Sequence, residues 1–99
     1  MSTPLKNTNR RLRQFKVVQN KTIHIQYYAL LREERGESRE IVSTQAACAQ
    51  DLYSELKIKY HFRLNTDLLR VAVNGQYASW QTLLKDQDKI VFIPPVAGG

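Results

Sequence analysis

The residues best placed to do chemistry stand at the end of the chain, in Pro94-Pro95-Val96-Ala97-Gly98-Gly99. The two prolines favour an extended exit and cannot donate the hydrogen bonds of a sheet ladder. Gly98 and Gly99 carry no Cβ. They make the narrowest peptide end, able to thread a tight channel and to take backbone angles closed to other residues. Six residues at about 3 Å each carry the terminal carboxylate roughly 15–20 Å from whatever precedes them. With an ordinary pKa of about 3.5, that carboxylate is an ionised oxygen nucleophile at neutral pH. It can attack the α-phosphate of ATP to give an acyl-adenylate, from which a sulfur donor can displace AMP and leave a thiocarboxylate. A terminal Gly-Gly by itself is a frayed end. Two prolines and a preceding strand turn it into a presented end.

Nothing else in the chain composes a catalytic set. There is no Ser/His/Asp group, no phosphate-cradling glycine loop and no paired-carboxylate cleft. Cys48 is the single cysteine, cannot form an internal disulfide, and reads as a packing or helix-start residue. There are two histidines, and His24 lies on the outward side of an alternating stretch, so no dedicated metal site is expected. Ninety-nine residues with 42% hydrophobic and 24% charged side chains fit one small globular domain. That leaves no room for a dinucleotide-binding fold or a barrel enzyme. No apolar run approaches the roughly 18 residues of a membrane span, and no secretory signal is visible. A soluble, cytoplasmic domain without a bound cofactor is the expectation.

The net charge of +6 raises a nucleic-acid reading, and its location argues against one. Residues 1–22 hold Lys6, Arg10, Arg11, Arg13, Lys16 and Lys21 with no Asp or Glu, leaving nine cations against nine acids in the remainder. The body is formally neutral, whereas a nucleic-acid domain more often carries its charge on the folded surface. Residues 1–21 read as a basic, disordered tail.

From Thr22 onward the pattern is that of a folded domain. Ile23, Ile25 and Tyr27 alternate with His24, Gln26 and Tyr28, as in a half-buried strand. Ala29–Arg35 reads as a short helical turn stopped by Gly36, and 38–43 as a second strand pairing antiparallel with the first. Ala49, Leu52, Tyr53, Leu56 and Tyr60 form one apolar stripe of a helix over about 48–60, starting either near Cys48 or from a cap at Ser43 or Thr44. Leu69–Val73 is a strand, Asn74-Gly75 a tight hairpin turn, and Gln76–Ala78 the return strand. Trp80, Leu83 and Leu84 are expected over the core. Asp86–Asp88 is a turn and Lys89–Ile93 the last strand. Five strands and one main helix make an α+β domain over 22–93, with the helix on one sheet face and 94–99 as an extended C-terminal tail.

The ending Phe92-Ile93-Pro94-Pro95-Val96-Ala97-Gly98-Gly99 resembles that of molybdopterin synthase small subunits, in the MoaD/ThiS group of ubiquitin-like sulfur carriers. Tyr28–Glu33, Asp51–Leu56, Val71–Gly75 and Asp86–Ile90 are similar to that group's segments as well, so the resemblance covers about 22–99. It departs at Gln87, a turn position where the family often has Gly, and at Ser43–Ala47, which is not the family's usual helix entry. The resemblance implies a β-grasp fold, with the first and last strands parallel neighbours. It implies that Gly99, preceded by Gly98, is charged by an ATP-using adenylyltransferase of the ubiquitin-activating type. A sulfur donor protein would then convert it to a thiocarboxylate. It further implies that Pro94, Pro95, Val96 and Ala97 run into a large catalytic subunit, in a heterotetramer, where sulfur passes to cyclic pyranopterin monophosphate. The chain would be non-catalytic on its own, and neither nucleic acid nor membrane is an expected partner. Tyr28, Tyr77 and Ile93 match the family's docking face, and alternation independently puts Tyr28 and Ile93 off the core side. Rival readings are a carrier for thiamin thiazole or tRNA thiolation, a ubiquitin-like modifier, and a small basic RNA-binding protein.

Overall fold

Three inward side chains at alternate positions decide the first strand. In the computed structural model, which describes residues 19–95, β1 (Lys21–Tyr27) buries Ile23, Ile25 and Tyr27 and leaves the residues between them half-covered. Lys21, read above with the tail, is the first residue of β1, and its Nζ donates to the Ala46 carbonyl (3.0 Å). The rest of the expected basic tail, apart from residues 19 and 20, lies outside the described residues, as do Val96, Ala97, Gly98 and Gly99.

A short helix α1 (Ala29–Arg35) follows and stops at Gly36, whose left-handed φ of 84° lets its N–H reach the Arg32 carbonyl. Strand β2 (Arg39–Thr44) then returns antiparallel to β1. Its span is one residue later than expected, so Thr44 belongs to the strand and does not cap a helix. Helix α2 (Ala49–Tyr60) starts after an extended Cys48 with no side-chain cap. Its first amides are satisfied from across the fold instead, Ala49 N–H by the Thr82 carbonyl (3.1 Å) and Gln50 N–H by the Trp80 carbonyl (2.9 Å). A 3₁₀ turn (Thr66–Leu68) leads into β3 (Arg70–Val73), and the Asn74-Gly75 turn, both residues at positive φ, closes a hairpin with β4 (Gln76–Ala78). The final strand is β5 (Lys89–Ile93).

The sheet order is β2-β1-β5-β3-β4. β5 lies parallel to β1 and antiparallel to β3, in the centre of the sheet. This is the β-grasp arrangement, with one main helix over one face. Leu52, Tyr53 and Leu56 of α2 are buried together with Ile23, Ile25, Tyr27, Val71, Ile90 and Phe92. Phe92 sits in an aromatic cluster, with ring centroids 5.2 Å from Tyr53, 6.0 Å from Trp80 and 6.3 Å from Tyr27. Trp80 and Leu84 cover the core as expected, but Leu83 is 69% exposed. The cause is a one-residue β-bridge between Cys48 and Leu83, which makes this stretch alternate and turns Leu84 in and Leu83 out.

One acid faces inward. Ile25 pairs with Glu40, so the β2 alternation sends Glu40 to the core side. It accepts hydrogen bonds from Tyr27 Oη (2.5 Å), Tyr60 Oη (2.8 Å) and both Nε and Nη2 of Arg35 (3.1 and 3.2 Å). Burial pushes its carboxyl upward, but the hydrogen bonds from Arg35, Tyr27 and Tyr60, with the Arg35 charge, outweigh burial and hold it below the usual carboxylate range. The same arrangement raises Tyr27, through burial first and then its bond to Glu40.

Two predictions follow from these contacts. Glu40→Gln should cost about 2 kcal/mol at pH 7, the scale of hydrogen bonds to a partly screened charge. Because the folded-state pKa is depressed, this advantage is present above the unfolded carboxylate value of about 4.3 and disappears as pH falls through the folded one. Urea unfolding of both proteins from pH 7 downward should show the two curves converging in acid, and a pH-independent gap would contradict the assignment. Gln87, at a φ of 72°, holds a backbone conformation that glycine adopts without strain. Gln87→Gly should raise stability by about 0.5–1 kcal/mol, readable as a higher Tm.

Candidate functional site

Strand β5 determines where the chain leaves the body. Ile90 and Phe92 point to the core, and the same alternation carries one residue further, since Pro94 is buried and Pro95 exposed. The expected tail over 94–99 is therefore corrected at its root. Pro94 is seated on the body, and Pro95 is exposed. Pro94, although buried, still contributes to the surface beside Ile93.

The outward side of the sheet can be written as rows across the strands. Tyr27 pairs with Phe92 and Ile93 with Arg70, so Tyr28, Ile93 and Arg70 lie side by side at the end from which the chain departs. Tyr28 is 42% exposed, Tyr77 68% exposed and Ile93 half-buried. All three expected docking residues are thus on the face that α2 leaves uncovered. The Tyr28 hydroxyl accepts a hydrogen bond from Gln26 Nε2 (2.9 Å), which fixes the ring on that side. The Arg70 guanidinium stands 5.5 Å from the centre of the Tyr77 ring, within cation–π range.

Tyr77 and Ile93 also line a shallow groove with Asp67, Leu68, Leu69, Arg70, Pro94 and Pro95. Leu68 (55% exposed) and Arg70 are members of this surface that the sequence reading did not single out. Val71 is inward, so alternation could have placed Arg70 outward. Leu68 sits in the 3₁₀ turn, where no strand or helix period applies. Tyr28 does not line this groove; it flanks Ile93 from the β1 side.

The groups whose acidity burial and neighbouring charge shift lie elsewhere. They are the Tyr27–Arg35–Glu40 cluster and Tyr53, which burial and the Glu34 charge push up to about 12 while its hydroxyl donates to the Leu64 carbonyl (2.6 Å). His24 is half-buried and bonded to the Gln87 side chain (3.0 Å), in keeping with its reading as an outward strand residue. Cys48 is half-buried at the start of α2. The exit is thus flanked by apolar and aromatic groups, with one guanidinium, Arg70, and one carboxylate, Asp67. Among the described residues, no helix is long and apolar enough to cross a membrane.

The profile of the ThiS family matches residues 25–99. The molybdopterin synthase sulfur carrier subunit of Mycobacterium tuberculosis is 35% identical over 80 residues, covering 78% of this chain and 96% of that protein. Among solved structures, the putative molybdopterin converting factor subunit 1 of Pyrococcus furiosus superposes with a TM-score of 0.63 at 30% identity, over 77% of this chain and 99% of the other. SAMP1 of Haloferax volcanii reaches a TM-score of 0.66 at 22% identity, over 79% and 99% of the two chains, a likeness of fold.

The two sheet faces should respond differently to the same substitution. Leu52 is fully buried, so Leu52→Asp should unfold the domain; Tyr77→Asp, at an exposed edge position, should lower stability by less than about 1 kcal/mol. Melting curves of both variants check the assignment of the faces, and an unfolded Tyr77→Asp protein would overturn it.

Proposed function

The chain belongs to the ThiS family of small sulfur carriers, and on that membership we propose that it is the sulfur carrier subunit of a molybdopterin synthase. The likeness that carries this reading is the 35% identity to a curated carrier subunit, nearly the whole of which is covered. The exit of β5 supports it, because the central strand runs directly into the prolines that precede the glycines.

In this reading the body contributes no reacting group. It holds Gly99 at a fixed reach and offers the outward face, with Tyr28, Tyr77 and Ile93, to its partners in the cytoplasm. Inside an adenylyltransferase, a Gly99 carboxylate oxygen attacks the α-phosphorus of ATP. Pyrophosphate leaves and an acyl-adenylate remains. The outer sulfur of a donor protein's persulfide then attacks the acyl carbon and expels AMP. A second thiol cleaves the S–S bond of the resulting acyl disulfide, forming a disulfide with the donor and leaving a thiocarboxylate in which sulfur replaces one carboxylate oxygen. The thiocarboxylate next enters the large subunit, where sulfur passes to cyclic pyranopterin monophosphate. Gly98 and Gly99 suit this task because a Cβ at either position would widen the end that must enter both active sites.

The reading makes a direct prediction. After incubation with ATP, the adenylating partner and a sulfur source, the intact mass should rise by one oxygen-to-sulfur exchange, located at Gly99. Deleting Gly99, or adding a residue after it, should abolish sulfur transfer to the pterin while leaving the melting curve native-like. Full transfer by the extended protein would sink the carrier assignment. Transfer to thiamin thiazole or to tRNA, in place of the pterin, would keep the carrier chemistry and move the pathway. A second variant tests the face. Ile93→Asp should weaken binding to the large subunit at least tenfold, about 1.4 kcal/mol, because it places an unpaired charge in a covered surface. Unchanged affinity in calorimetric titration would remove Ile93 from the interface.

A further inference from the structure

The outward sheet face has a charge pattern that the overall composition does not reveal. Of all the residues in the five strands, Glu40 is the only acid, and it faces inward. Lys21, also inward, bonds the Ala46 carbonyl. The remaining strand cations, Arg39, Arg70 and Lys89, all point outward and are exposed. Among the described residues none of the three is ion-paired. A body with balanced charge thus presents one face whose strands bear only positive charge.

Two of these cations belong to a second shallow groove, across β2, β1 and β5, towards the end of the sheet away from the chain exit. Its rows follow from the register. Ile41, His24 and Lys89 lie abreast, and Arg39, Gln26 and Val91 form the next row. Ile41 and Lys89 are separated by two inter-strand spacings, about 10 Å. Ile41 is 67% exposed, a large apolar side chain between two cations. Glu40 also lines this groove, with its carboxylate turned to the core side; other carboxylates are Asp67 in the exit groove and Asp86 in the turn before β5, where its Oδ1 accepts the Thr22 N–H (2.7 Å).

We propose that the large subunit covers this second groove as well as the exit groove, and that it does so with an apolar segment bearing carboxylates opposite Arg39 and Lys89. The inference rests on the carrier reading above and adds the chemistry of the partner's surface. Charge complementarity favours an acidic protein over a nucleic acid. Three cations spread across a whole sheet face neutralise few phosphates, and Ile41, Val91 and Ile93 between them need an apolar counterpart. Opposite charges on the two surfaces steer association, so the on-rate should fall as salt screens them.

Stopped-flow association of the full chain with the large subunit from the same source tests this. Between about 50 and 300 mM salt the on-rate should fall at least fivefold. Arg39→Glu/Lys89→Glu should bind at least tenfold more slowly at low salt and show a flattened or inverted salt dependence, with a native-like melting curve. Arg39→Gln/Lys89→Gln, which adds no repulsion, should fall between the two, and it serves if the reversed pair fails to fold. An on-rate indifferent to salt, or neutral and reversed variants that associate as fast as the parent, would overturn the proposal. So would a loss in the variants confined to binding of a single-stranded oligouridine. If the parent chain does not bind the large subunit at any salt, the carrier assignment to this synthase falls, and this proposal with it.

Discussion

Burial of β5 is the constraint from which the remaining structure follows. This strand lies in the middle of the sheet, bonded on one side to β1 and on the other to β3, so both edges of its backbone are committed. Ile90 and Phe92 are fully buried, and the Phe92 ring collects Tyr27, Tyr53 and Trp80 around it. Such burial of aromatic side chains supplies much of what a domain this small can use against chain entropy. The same alternation seats Pro94 inside and Pro95 outside. The most securely held strand is therefore the one that delivers the ending, and the root of the exit is fixed by the core itself.

Around that strand, polar groups are tied across long sequence distances. Asn74 Nδ2 donates to Asp88 Oδ1 (2.9 Å) while its own Oδ1 accepts the Lys89 N–H (2.9 Å), which joins the β3–β4 turn to the start of β5. Asp88 is buried, and its Oδ2 also accepts the Lys85 N–H (2.7 Å). Glu40 performs a similar task on the other flank, tying β1, β2 and both helices through one carboxylate. These are satisfied polar groups at the border of the core, where an unmet partner would be costly. Among the described residues no buried side-chain N or O lacks a partner.

Much of this was legible in the sequence where a period governs. Ile23, Ile25 and Tyr27 announced β1, Ile90 and Phe92 announced β5, and Gly36 and Asn74-Gly75 marked turns whose left-handed backbone they were suited to supply. Where a tertiary partner replaces a local signal, the reading failed or stayed open. The start of α2 had two candidate positions because its first amides are met by Thr82 and Trp80 carbonyls, which no local capping residue reveals. Leu83 was expected on the core because hydrophobicity says nothing of direction in an irregular stretch, and a single bridge to Cys48 turned it out. Pro94 was assigned to the tail by residue type, although the period of two that placed Phe92 would have placed it inside. At the candidate site, Tyr28 and Ile93 could be placed outward by alternation and Tyr77 by resemblance; alternation with Val71 also reaches Arg70, while Leu68 joins the surface only through the path of the chain between α2 and β3.

The central position of β5 has a bearing on how the protein is made. Its partner β1 emerges from the ribosome first and must wait for almost the entire body to be synthesised before the parallel pairing can form. Until then β1 and β3 each present an open edge, and the aromatic cluster lacks the ring at its centre. Pairings between distant parts of a chain are slow to form because loop closure must come before any contact rewards it. A nascent or prematurely terminated chain therefore cannot settle into a stable domain, and its unpaired edges expose it to proteolysis and aggregation. The pairing of the first strand with the last thus closes the sheet only when the strand that leads into Pro94 and Pro95 is in place.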